Sequence, residues 1–143
     1  MAEISNQELI EKAKSVIQPR KITGGFLVGD VGCALLTEKG HVFLGVCIDA
    51  GSGIGFCAEH SAIAAMVTAG EFRIRRIVAV WKDGCIIPPC GRCRELIHQI
   101  HEDNWNTEVI IGKDKVVELR ELLPYHDWLD RPSSPSKSSP RVR

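Results

Sequence analysis

Two short stretches hold the residues whose types and spacing could do chemistry. In "GFCAEHSAIAA" Cys57 stands two residues before Glu59, and in "PPCGRCRELI" Cys90 and Cys93 stand three apart behind Pro88 and Pro89. Both stretches open helical patterns, where free backbone N–H groups and the positive end of the helix dipole stabilise thiolates. A first helical turn lets Cys90 and Cys93 present both sulfurs to one ion, with Cys57 as a third ligand. Structural zinc sites close with four protein ligands, whereas three leave a position open for water. Zinc lowers the pKa of such a water toward neutrality, so Zn2+ is the expected cofactor. Glu59 is the expected proton shuttle. Helix positions two apart do not share a face, so this geometry requires Cys57 at the cap and Glu59 in the first turn. Three thiolates on Zn2+ carry a formal charge of −1, which His60 and Arg94, or Arg92, would offset from just outside the ligands.

Blander readings of the same residues are three buried thiols, or a structural zinc closed by His60. A redox CxxC is a further competitor, but it would follow a first strand, whereas this pair falls after two strands and a helix. Of the other cysteines, Cys33 and Cys85 read as small buried hydrophobes, and Cys47 as either packing or pocket lining. His98 and His101 read as solvated positions on the outer part of their helix. His126 and Trp128 read as packing residues near the end of the folded part.

The chain has 143 residues, enough for one domain with a sizeable core. No apolar run reaches membrane-spanning length. The N-terminus carries early acidic residues and no apolar signal core, so the cytoplasm is the expected compartment. Eighteen basic residues balance eighteen acidic ones, but four of the basic ones lie in "RPSSPSKSSPRVR", residues 131–143. The body is left with fourteen against eighteen, a net charge of −4, which gives no general pull toward polynucleotides. A domain over 1–130 is expected, followed by a disordered Ser/Pro-rich basic tail over 131–143.

The elements that must position the cysteines follow from periodicity. Residues 6–17 place Leu9, Ile10, Ala13, Val16 and Ile17 at helical spacing. "VGCALLT" and "HVFLGVCID" are strands joined by "EKG". A helix runs from Ala58 to Ala69 and stops at Gly70. "RRIVAVW" is a buried strand, a helix spans Gly91 to His101, and "TEVIIG" and "KVVEL" are two more strands. "RELLPYHDW" forms a terminal turn or short helix. This order predicts an α/β, three-layer α-β-α sandwich with one mixed five-stranded sheet flanked by helices.

The motifs "CAE" and "PCGRC" resemble the zinc-dependent cytidine deaminases, whose signature is His or Cys, x, Glu, then Pro-Cys-x-x-Cys. The Cys-first form is similar to the free-nucleoside cytidine deaminases and the blasticidin-S deaminases. The likeness runs from about Val31 through Trp128 and takes in the element order, "PCGRCR" and "ELLP". It implies zinc on Cys57, Cys90 and Cys93, and Glu59 moving protons from water to the ring nitrogen and the leaving amine. It implies that the Ala58 N–H and the carbonyls near Pro88 hold the base. It also implies a small-molecule cytosine nucleoside as substrate, and a homotetramer, with a dimer as the alternative. Cytidine or deoxycytidine is the first expected substrate and a blasticidin-type nucleoside the second. A non-catalytic zinc-stabilised nucleoside-binding domain is the alternative of a different class.

The sequence departs from that family where the sugar is held. Family members carry Asn-x-Glu at the end of the second strand, and this chain has Cys47, Ile48 and Asp49. Gly29 is in register with the family's first-strand aromatic, for which Phe26 is the candidate substitute. His60 replaces the arginine common after the glutamate.

Overall fold

The computed structural model describes residues 3–126. The expected tail, 131–143, and Trp128 lie outside those residues. Helix α1 (Asn6–Ser15) starts in a capping box, the Ser5 hydroxyl accepting from the Glu8 N–H at 3.1 Å. The strands are β1 (Arg20–Lys21), β2 (Leu27–Thr37), β3 (Val42–Ile48), β4 (Ile74–Trp81), β5 (Ile86–Ile87), β6 (Glu108–Gly112) and β7 (Lys115–Glu118). Helix α2 (Ala58–Thr68) lies between β3 and β4, α3 (Gly91–Ile100) and a 3-10 turn (Glu102–Asn106) between β5 and β6, and α4 (Leu119–Leu122) after β7.

The sheet is mixed and has seven strands rather than the five expected. The expected five form its main path, β3-β2-β4-β6-β7, with β4 and β6 parallel and the other neighbours antiparallel. The additional strands are two-residue pairings, β1 on the start of β2 and β5 on the end of β4. Segments that short carry no alternation to read. Strand β2 also begins at Leu27, earlier than its apolar run suggests, and passes through an irregularity between Val28 and Gly32.

Strand alternation divides the core into two layers. Cys33, Leu35, Ile77 and Val109 face α2 and α3 and pack with Ala62, Ile63, Met66 and Ile97. Ala34, Leu36, Val78 and Ile110 face the other way and cover Leu9, Ile10 and Ala13 of α1. The result is a three-layer α-β-α sandwich. Two glycines set how closely the helices lie. A Cβ on Gly32 would stand 2.1 Å from the Ala13 carbonyl oxygen, and one on Gly45 would stand 2.3 Å from the Ala62 nitrogen. Helix α2 therefore rests backbone to backbone on β3, which fixes the height of its N-terminus above the sheet.

Two expectations about single residues need correction. His98 is buried at 2 % exposure, not solvated, because Trp105 of the 3-10 turn and His126 close over it, with ring centroids 4.5 Å and 4.1 Å away. His101 is half-buried and caps that turn, its Nδ1 accepting from the Asp103 N–H at 3.0 Å. His126 packs against Trp105 at 3.8 Å. Cys85 is exposed rather than buried, since it follows the turn at Gly84 and donates its N–H to Asp83 at 2.8 Å. Cys33 is buried.

Candidate metal and deamination site

Both cysteine stretches sit at helix mouths. Cys57 is the N-cap of α2 and Cys90 the N-cap of α3, both with extended backbone and neither side chain capping its own helix. The sulfurs turn toward each other instead. Cys57 Sγ lies 3.3 Å from Cys90 Sγ, which lies 3.4 Å from Cys93 Sγ. Among the described residues these form the one group of three or more cysteine, histidine and acidic side chains whose ligand atoms all lie within 4.8 Å of one another. Three soft donors converging at two positive helix ends fit a zinc ion.

The electrostatics of the three thiols fit the same ion. Burial, and then the neighbouring Cys90 thiol, push Cys57 up to about 11. Burial and the Glu59 charge push Cys93 far above the ordinary thiol range. Burial also raises Cys90, but the backbone N–H groups of Cys93 and Arg92 and the neighbouring thiols more than offset it, leaving Cys90 below its usual value. Three crowded thiols cannot all ionise unaided. A divalent cation supplies the missing charge.

Glu59 occupies the first turn of α2 directly after the Cys57 cap, as a metal-adjacent proton carrier requires, and is 4 % exposed. Burial raises its carboxyl above the usual range, against the lowering effects of its own backbone N–H and the Cys93 thiol. A carboxyl held nearer neutrality both takes and gives a proton readily.

The site opens into a cavity of about 480 Å³. Cys47, Asp49, Ala58, Glu59 and Pro88 of the expected residues line it. Phe26 is not among the lining residues. Its ring packs by Gly51, where a Cβ would stand 3.5 Å away. His60 is placed beside the thiols but outside the ligand group, its Nδ1 3.5 Å from Cys93 Sγ, and its ring is stacked near Phe56. Burial, then the Arg92 charge, lowers its pKa. Arg92 lines the cavity and reaches the Gly55 carbonyl at 3.4 Å. Arg94 points away, its Nε donating to the Pro89 carbonyl at 2.8 Å and its Nη1 to the Leu122 carbonyl at 3.0 Å. The cation at the cavity is therefore Arg92, and Arg94 braces the turn that carries Cys90. Asp30 and Trp81 also line the cavity and were not anticipated. Both lie at strand positions whose facing the apolar pattern leaves open.

The sequence profile of the cytidine and deoxycytidylate deaminase zinc-binding region matches residues 4–109. This chain belongs to that deaminase family. A blasticidin-S deaminase from Bacillus cereus is 34% identical over 103 residues, covering 66% of this chain and 74% of that protein. A cytidine deaminase from Mycobacterium tuberculosis is 34% identical over 68 residues, 47% of this chain, and the match spans only about half, 51%, of that relative. The deaminase fold extends further than those alignments. The crystal structure of cytidine deaminase from Mycobacterium leprae superposes with a TM-score of 0.72 at 27% identity, over 85% of this chain and 99% of that one. The zinc-binding region of the family takes in Cys57, Cys90 and Cys93 here, and zinc is the cofactor this deaminase domain is built to hold.

Proposed function

We propose that this protein is a zinc-dependent hydrolase that deaminates a cytosine-type nucleoside, cytidine or deoxycytidine, to the uracil product and ammonia. The observation that carries this reading is Glu59, buried in the first turn of α2 beside three convergent thiols at the floor of an open cavity. When bound, zinc supplies Lewis acidity that makes water nucleophilic near neutral pH.

The chain's own residues do the rest. Glu59 takes a proton from the attacking water and delivers it to the ring nitrogen as the C–O bond forms. Glu59 then takes the proton of the newly added hydroxyl and passes it to the amine, and the C–N bond breaks as the carbonyl forms, releasing ammonia. The N–H of Ala58, free at the start of α2, and the Pro88 carbonyl hold the base. Arg92 offsets the negative charge of three thiolates. Asp49 and Cys47 are the residues assigned to the sugar, supported by their place in the cavity lining.

A blasticidin-type cytosine nucleoside is the second reading. Cys47 and Asp49 in place of an amide and a longer acid support it, as does the likeness to the Bacillus cereus protein. The protein acts in the cytoplasm, in nucleoside salvage under the first reading, as a homotetramer. The 1–130 region forms the domain, and the basic tail is dispensable for turnover. Among the described residues no helix is long and apolar enough to cross a membrane.

The test is ammonia release by zinc-loaded protein from cytidine, deoxycytidine, cytosine, blasticidin S and guanine, with Glu59→Ala as control. Turnover of a cytosine nucleoside that vanishes in the variant, zinc content retained, supports the assignment. Silence across all five compounds overturns it and leaves a zinc-stabilised binding domain.

A further inference from the structure

Strand β2 is broken where it meets the cavity. Val28 pairs with Ile48 and Gly32 with Val46, so four steps along β2 run against two along β3. The surplus residues form a bulge, a device that re-aims side chains beside active sites. Gly29 adopts φ +81° inside it, and a Cβ there would stand 2.2 Å from the Gln18 carbonyl oxygen. Gln18 in turn donates its N–H to the Gly29 carbonyl at 3.0 Å. On the other side the Val31 N–H, displaced from the ladder, donates to Cys47 Sγ at 3.3 Å.

The bulge changes where residue 30 points. In an unbroken strand Asp30 would share a face with Gly32 and Ala34, toward α1, and Val31 would take the opposite face. Instead Asp30 and Val31 both line the cavity. The Asp30 side chain is 16% exposed, and Lys82 Nζ lies 3.7 Å from its Oδ2. Lys82 is itself half-exposed, so it steadies the carboxylate without closing it off. Asp49 adds a second carboxylate to the same cavity. The part of the lining built by β2, β3 and the residue after β3 thus offers two carboxylates as acceptors, in the same cavity as Cys57, Cys90 and Glu59.

We propose that Asp30 is a specificity residue, accepting hydrogen bonds from hydroxyl groups on the non-base half of the substrate and, with Asp49, selecting an unphosphorylated nucleoside over its 5′-nucleotide. Cys47 serves this indirectly, as the sulfur acceptor that holds the bulge. The assignment rests on the deaminase reading above. A phosphate on that wall would meet two carboxylates in a partly desolvated space, and the half-exposed Lys82 offsets only one of them. A hydroxyl would find a charged acceptor, the stronger kind of hydrogen bond.

The experiment compares kcat and KM of the zinc-loaded enzyme on cytidine, cytidine 5′-monophosphate and free cytosine, in wild type, Asp30→Ala and Asp30→Asn. Zinc content and melting temperature are measured alongside, and the isosteric Asp30→Asn guards against a folding defect in the alanine variant. Wild type is expected to prefer cytidine over both other compounds. Asp30→Ala is expected to raise KM for cytidine about tenfold or more, with kcat falling far less. Both variants should narrow the cytidine-to-monophosphate preference about tenfold. Ratios and KM that stay within twofold in folded variants overturn the assignment and leave the deaminase reading intact. A wild type that turns over cytosine as well as cytidine does the same. No turnover of any of the three sinks the cytidine reading and this inference with it.

Discussion

Arg94 Nε donates at 2.8 Å to the carbonyl of Pro89, the residue before the Cys90 ligand, while its Nη1 reaches the Leu122 carbonyl at 3.0 Å. One side chain therefore ties the metal-bearing turn to the end of α4. Groups that orient ligands from behind commonly matter tenfold or more in metal affinity. Arg94→Ala is expected to weaken zinc binding roughly tenfold, measured by competition with a chromophoric chelator. Arg94→Lys should recover only part of the loss, because an ammonium cannot fork to two carbonyls. An affinity equal to wild type in Arg94→Ala would assign the arginine to helix docking alone.

Zinc binding should be steeply pH-dependent. Burial pushes Cys57 up to about 11 and raises Cys93 further still, so each must give up a proton to become a ligand. Each ligand must lose a proton to bind, and affinity falls as protons become more abundant. Between pH 8 and pH 6 the apparent affinity is expected to drop more than about tenfold per unit. A flat profile would mean that the thiols are already ionised.

Gly45→Ala should cost stability as well as function. The new Cβ would lie 2.3 Å from the Ala62 nitrogen and 2.7 Å from the Ala58 carbonyl, both backbone atoms of α2 that cannot swing aside. Overpacking of this kind costs about 1–3 kcal/mol. Urea unfolding should show that loss. Activity should fall with it, since α2 carries Cys57 at its cap and Glu59 in its first turn. A variant as stable as wild type would show that the helix can lift off the strand without penalty.

Acid stability should depend on Glu71. Its carboxyl lies below the usual range, held by the Thr37 hydroxyl and by His41, whose Nδ1 is 2.6 Å from Oε2. A carboxylate with a depressed folded-state pKa stabilises the protein above the unfolded value, near 4.3, and loses that contribution as the pH falls through the folded value. Glu71→Gln is expected to lower stability by roughly 1 kcal/mol at pH 7, with the gap from wild type closing below about pH 4. Chemical denaturation at pH 7 and pH 3.5 reads both ends.

The chemistry was more legible than the walls around it. Cys57, Glu59, Cys90 and Cys93 announce themselves because residue type and helix-start position are both written in the chain, and each lies where a local rule places it. The five long strands carry clear apolar runs. The β2 bulge is invisible in that pattern, because Val28, Val31 and Cys33 look alike whether or not the strand slips. Asp30 was therefore missed as a cavity residue. His98 was misplaced for a different reason. The cover over it comes from Trp105 in a five-residue 3-10 turn and from His126, neither of which belongs to an amphipathic helix. Arg92 and Arg94 are neighbours with opposite tasks, and only the helix rotation decides which faces the cavity.

The two capping cysteines have a consequence for how the chain stays folded. Cys57 and Cys90 are 33 residues apart, and the span between them holds α2 and β4, the centre of both apolar layers. One ion gripping both ends acts as a tether that closes this long loop and deprives the unfolded chain of much of its freedom. For a covalent link over a span of that size the loop-closure contribution is roughly 3–4 kcal/mol, a large share of a small domain's total stability. The ion that serves the reaction would then also be a rivet in the architecture, and a cell starved of zinc would lose the protein itself along with its activity.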